Sequence, residues 1–187
     1  EGLTYRGKAQ VRHLMDVLAN DFSPEEIASH VQRPLTGLTV APYYGCQTVR
    51  PFSDYDDDQA PTSMLAILEA LGVTIHRHNR EASCCGTSLL MTKQEAGVSM
   101  VADVLQACDG ADCMATVCPM CQLNMEGYQD KASKVLGRRV NIPVLFLPQL
   151  MGLAFGLPDD VLMFERHMVP VKPVLSRLEQ KAAVAAG

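Results

Sequence analysis

The residues of this chain best suited to chemistry are cysteines, and five of them fall in three places. Cys46 stands in YYGCQTVRP, Cys84 and Cys85 in SCCG, and Cys118 and Cys121 in CPMC. A thiolate is both a nucleophile and a metal ligand. Two thiols from one turn can therefore bind the same metal atom or two neighbouring ones, and Gly86 directly after the pair lets the backbone approach closely or take a positive φ. Thirty-seven residues separate Cys46 from Cys84, 32 separate Cys85 from Cys118, and two separate Cys118 from Cys121. Gaps of that size rule out a local finger or a ferredoxin-type loop, so the fold must gather the ligands. Five thiolates exceed the ~4 that one structural zinc ion takes, whereas a polynuclear iron–sulfur assembly would use them all. The alternatives are zinc on four of the five, a vicinal disulfide, ordinary buried thiols and, for Cys118 with Cys121, a thioredoxin-like dithiol at a helix N-terminus.

The neighbouring residues have plainer readings. Cys108 and Cys113 fit no ligand spacing and are expected to be small buried hydrophobes. His76 and His78 in HRHNREASCC lie just before the cysteine pair, where a histidine could relay protons near neutral pH, but ordinary strand or loop histidines are the expectation. Arg50 could offset the charge of a multi-thiolate cluster or form a surface salt bridge. The acidic run from Asp54 to Asp58 reads as a solvated loop rather than a docking surface for a basic partner. Met114, Met120 and Met125 read as core filling.

Composition bounds the class. The chain has 187 residues, 48% hydrophobic and 20% charged, enough to bury one core of ordinary size. Sixteen basic against 21 acidic residues give a net charge of −5, with no basic stripe to follow a phosphate backbone, so no nucleic-acid partner is expected. No apolar run reaches the ~18–20 residues of a membrane span, and no charged segment followed by an apolar one opens the chain. A soluble, cytoplasmic protein is the expectation. Seven cysteines in such a chain argue for metal or redox chemistry over a disulfide framework. The first residue is Glu1, on an amphipathic stretch, as if the chain began in the middle of something.

The elements that must position the thiols alternate between strand and helix. SPEEIASHV carries a capping box, with Ser23 as N-cap, Pro24 at the first helical position and Glu26 three residues beyond the cap. GLTVAPYYG predicts a buried strand delivering Cys46 into a loop, TSMLAILEALG a helix stopped by Gly72, and VTIHRH a strand running toward Cys84. TSLLMTKQEAGVSMVADVLQACDG predicts one long helix. CMATV predicts a third strand, with Cys118 beginning the turn into the helix QLNMEGYQDKAS. Three strand ends, each followed by cysteine, predict a parallel α/β sheet whose loops at one edge converge on a single crevice. The predicted organisation is an N-terminal helical segment over 1–36, an α/β domain over 37–168 and a tail over 169–187, helical or partly disordered.

The pattern Cys46, Cys84-Cys85-Gly86, Cys118-Pro119-Met120-Cys121 resembles the cysteine-rich CCG domain found in the B subunit of heterodisulfide reductase. YYGCQTVRP and PVLFLPQLMGLAFGL resemble the second, C-terminal CCG half of that B subunit, and the resemblance covers roughly residues 5–160. It implies a Rossmann-like, three-layer fold and a noncubane 4Fe-4S centre ligated by Cys46, Cys84, Cys85, Cys118 and Cys121. It also implies a second CCG half facing this one, with a disulfide or thiol substrate between them. Electrons would come from an iron–sulfur partner resembling the reductase's C subunit, fed by a flavin protein resembling its A subunit. Gln47 departs from the family, which often has His after the first cysteine. An electron-transfer CCG subunit of a hydroxy-acid, succinate or glycerol-phosphate dehydrogenase is the alternative within the resemblance, and a structural zinc module the alternative outside it.

Overall fold

Thr39–Tyr43 (β1) reads TVAPY, and its residues send side chains alternately to two different cores, as the period of two in a strand requires. Val40 joins a core built from the helices Leu14–Asn20 (α1), Pro24–Ser29 (α2) and Ser63–Ala70 (α3), whereas Ala41 and Tyr43 join another beneath the helix Gln94–Ala107 (α5). The same division runs through Cys113–Thr116 (β3), where Cys113 and Ala115 face the first core and Met114 the second. In Val144–Phe146 (β4), Val144 and Leu145 divide likewise. The result, in a computed structural model that describes residues 2–4, 6–51 and 55–185 (182–185 as backbone only), is a three-layer α/β/α fold.

The sheet has the order β2-β1-β3-β4, where β2 is Thr74–Ile75, and every pairing is parallel. Chain direction therefore reverses its spread across the sheet between β1 and β3, the place where open α/β sheets leave a crevice at their carboxyl ends. Pro119–Gly127 (α6) and Gln129–Leu136 (α7) join α5 on the second face. Leu147–Ala154 (α8) and the start of the terminal helix Lys172–Ala185 (α10) pack on the first, with Val171 and Val174 buried beside Met15 and Leu150.

Several expected elements take a different form. The predicted strand VTIHRH ends at Ile75, leaving Cys84 nine positions beyond it. His76 still donates its backbone N–H to the Val40 carbonyl, but the next rung would need an N–H from Pro42, which has none. The His78 ring takes the Pro42 carbonyl instead, Nε2 to O 2.9 Å. The single long helix expected after the cysteine pair is broken into Thr87–Leu90 (α4) and α5. Here the chain folds back so that Leu90 lies on Gly97, where a Cβ would stand 2.8 Å from Leu90 Cδ2. The helix expected over QLNMEGYQDKAS is likewise divided at Tyr128, beside Gly127, and the Gln129 amide after the break pairs both ways with the backbone of Ile142 (2.7 and 2.9 Å). The Ser23 to Glu26 capping box forms as expected, and β4 adds a strand that the pattern of cysteines did not announce.

Candidate metal centre

Each loop that carries a thiol is tied to the next. Beyond β1, the backbone N–H groups of Tyr44 and Gly45 donate to the Glu81 carbonyl at 2.9 and 3.2 Å, joining the Cys46 loop to the segment before the cysteine pair. The Tyr43 hydroxyl reaches across to the Ser83 carbonyl at 2.7 Å, and Arg50 Nη2 donates to the Ala82 carbonyl at 2.6 Å. The buried Glu81 carboxylate holds the same segment from within, accepting from Arg77 Nε at 2.7 Å and from the His78 backbone N–H at 3.0 Å. On the other side, the buried Asn124 side chain on α6 donates to the Cys85 carbonyl at 3.0 Å, locking the pair to the helix that carries Cys121.

Two glycines make room. Gly45 has φ +67°, and a Cβ built there would lie 2.7 Å from Cys121 Sγ. Gly86 has φ +76° and begins α4, with its position against Gly97 so tight that a Cβ would meet the Gly97 carbonyl oxygen at 2.9 Å. Both therefore need the conformational freedom and the small volume that only glycine has. Cys118 caps α6 from the extended region and Pro119 follows at the first helical position, so Cys121 stands one turn further along the same helix.

The electrostatics show how closely the thiols approach. Cys85 is pushed down to about 5, first because the Cys121 thiol hydrogen-bonds to its sulfur, against the cost of burial, with the Thr87 hydroxyl helping at 3.0 Å. Cys121 is held far above the usual thiol range by the same bond, by burial, and by the charge of Cys85 and Cys118. Burial and the charge of Cys84 raise Cys46. The fully buried Tyr43 phenol is raised by burial and then by Cys121, Cys85, Cys84 and Cys46 together, so the charges of four of the thiols reach one hydroxyl. Cys46, Cys84, Cys85, Cys118 and Cys121 thus converge at the carboxyl edge of β1 and β3. They do so as neighbouring pairs: among the described residues, no three Cys, His, Asp or Glu side chains close on the position of one metal ion. An all-sulfur donor set in pairs, with a glycine cradle at Gly45, fits a polynuclear iron–sulfur group.

The remaining sequence candidates have plainer surroundings. His76 and His78 spend their Nε2 atoms on the carbonyls of Ala107 (3.0 Å) and Pro42, and burial pushes His78 down. Cys108 and Cys113 are buried, with thiols pushed up to about 12 by that burial. Met114 and Met125 are core residues and Met120 is half exposed. Of the acidic run, Asp54 lies outside the described residues. Asp56 caps the start of α3 through Thr62 and Ser63, and Asp57 is held low by the backbone N–H groups of Ala60 and Gln59. Sequence reasoning did not single out Glu126 and His167, which meet at 2.8 Å with side chains 0% and 3% exposed. The signal available was weak, a lone Glu on a helix and a lone His 41 residues later.

The arrangement has a counterpart among known proteins. The cysteine-rich domain called CCG matches residues 40–126, which span all five thiols. Residues 40–126 are a CCG domain. Around this CCG domain, the chain is 33% identical over 171 residues to the 8-methylmenaquinol:fumarate reductase membrane anchor subunit of Wolinella succinogenes, aligning 89% of itself with 60% of that protein. It is 29% identical over 188 residues to the B subunit of the ferredoxin:CoB-CoM heterodisulfide reductase of Methanosarcina mazei, aligning 97% of itself with 62% of that protein. The chain therefore spans less than two thirds of the length of either relative. A crystal structure of a hypothetical protein from Helicobacter pylori shares the fold, with a TM-score of 0.61 and 19% identity, over 79% of this chain and 28% of that one. Both curated relatives are reductase subunits by name. No helix among the described residues is long and apolar enough to cross a membrane.

Proposed function

We propose that this CCG domain holds a noncubane 4Fe-4S centre on Cys46, Cys84, Cys85, Cys118 and Cys121, and that the chain is the cluster-bearing half of the catalytic subunit of a heterodisulfide reductase-like complex. The observation that carries this is the convergence of the five thiols at the carboxyl edge of β1 and β3, four of them near enough to Tyr43 for their charge to raise it, with the Cys121 thiol against the Cys85 sulfur. Pairs suit a group of several metal atoms, each taking one or two thiolates, better than one tetrahedral ion. When bound, such a group supplies electron transfer beside the loop. The chain's own residues supply the rest. Gly45 admits the Cys121 sulfur, Gly86 turns the backbone, and the Asn124 and Tyr43 hydrogen bonds fix the Cys84-Cys85 segment. The partners in this reading are a second CCG half or an equivalent chain, an iron–sulfur protein like the reductase's C subunit, a flavin protein like its A subunit, and a disulfide or thiol substrate, in the cytoplasm.

A second reading, an electron-transfer CCG subunit of a succinate- or fumarate-type dehydrogenase, is favoured by the name of the Wolinella relative. Iron, acid-labile sulfide and zinc per chain, measured on anaerobically prepared protein, test the centre itself. About four iron and four sulfide, both lowered by Cys84→Ser, support it. About one zinc without sulfide favours a structural zinc module instead.

A further inference from the structure

A cavity of ≈ 530 Å³ opens on the β4 side of the centre, between the β3–α6 turn and α8. Its size lies within the range of small-molecule sites. Its walls are apolar: Val117, Phe146, Pro148, Val161 and Leu162 line it, with Leu14 from α1 at the rim. Among the described residues no carboxylate lines it, and the one cation that does, Arg166, has a side chain 81% exposed and lies 3.4 Å from Glu165. A charged occupant would therefore be poorly matched inside.

One end is polar. The His167 Nδ1–H donates to buried Glu126 Oε1 at 2.8 Å, and its Nε2 rests on the Gln149 amide at 3.0 Å. Gln149 is itself committed, accepting from the Phe146 backbone N–H at 2.9 Å and donating to the Leu162 carbonyl at 2.7 Å. Gln122 is different. Its amide nitrogen has His167 Nδ1 as nearest partner at 3.5 Å, and that ring atom already carries a proton given to Glu126. Among the described residues a half-buried amide thus lines the cavity held only by this long contact, on the residue directly after Cys121.

We propose that this cavity binds a neutral quinone-type ring, one carbonyl oxygen accepting from the Gln122 amide and the ring lying against Phe146, Pro148 and Val161. An uncharged, flat, apolar body with an acceptor at its end satisfies the walls and offers the weakly held Gln122 amide a shorter partner. That the ring exchanges electrons with the thiol centre rests on the function proposed above; that the cavity binds it does not.

Equilibrium dialysis of the 187-residue chain with 2,3-dimethyl-1,4-naphthoquinone, whose substituted quinone ring resists thiol addition, tests the site. Saturable uptake of one ring per chain is expected. Val161→Asp, at an exposed rim position, should weaken binding about tenfold. Gln122→Leu should weaken it about fivefold and return the infrared carbonyl stretch toward that of the free quinone. Met91→Asp, 91% exposed on the α4–α5 turn, should change nothing. Absence of saturable uptake, equal losses in the Val161 and Met91 variants, or an unshifted carbonyl band in the wild type each overturn the proposal. Metal analysis of the same samples keeps the two readings apart, since uptake without iron removes the redox assignment and leaves the cavity.

Discussion

Gly45 and Cys121, 76 positions apart in the sequence, meet so closely that a single methyl group on the glycine would stand 2.7 Å from the cysteine sulfur. The loop after β1 and the helix after β3 are fitted to each other at the level of one atom, across the crevice where the sheet changes direction. Gly45→Ala should therefore displace the Cys121 thiol as well as strain a left-handed residue, which alone costs roughly 1–2 kcal/mol. The expected outcome is a lower urea midpoint and a fall in bound iron together. Unchanged iron would detach the loop from the centre.

The Cys85 and Cys121 pair gives the metal-free chain a definite pH dependence. Cys85 is depressed to about 5, so between that pH and the ordinary thiol range the folded chain holds one proton fewer than the unfolded one, and stability rises with pH. Cys121 is raised, so above the ordinary thiol range the folded chain holds one proton more, and stability falls again. Stability attributable to the pair should peak in the thiol range and be lost as pH drops through about 5. Thiolate absorbance near 240 nm should report the low titration, and Cys121→Ala should move it upward.

Glu126 accepts from the backbone N–H groups of Val144 (3.1 Å), Met168 (2.8 Å) and Val169 (3.4 Å) as well as from His167. Removing a buried carboxylate that satisfies four donors should be costly, about 3 kcal/mol or more for Glu126→Ala. Chemical denaturation should show it, with Glu126→Gln losing less because the amide oxygen can keep some of the bonds.

Tyr43→Phe removes only the hydroxyl that reaches the Ser83 carbonyl. A loss of about 1 kcal/mol is expected, with faster alkylation of half-buried Cys84 by iodoacetamide than in the wild type. Equal alkylation rates would mean that the other ties, from Arg50 and Glu81, hold the segment alone.

Much of this was legible in the residues. Gly45 and Cys46 ending a run of β-formers, Ser23 with Pro24 and Glu26, and Cys118 followed by proline are local signals whose physics is complete within a few residues, and the structure has them as expected. What escaped depends on contacts distant in sequence. The break after Leu90 exists because Leu90 packs on Gly97, and the early end of β2 follows from Pro42 on a neighbouring strand. Glu126 and His167 carry no spacing that joins them, because the chain segments that bring them together are fixed by β4 and by α8.

The missing N–H of Pro42 leaves a further mark. It helps confine β2 to two residues, and β4 at the opposite margin has three, so both borders of the sheet are short. Long, flat borders recruit strands from other molecules, and abbreviated ones do not. A polypeptide with this many thiols gains from such blunted margins, because two copies that collide have little to zip together.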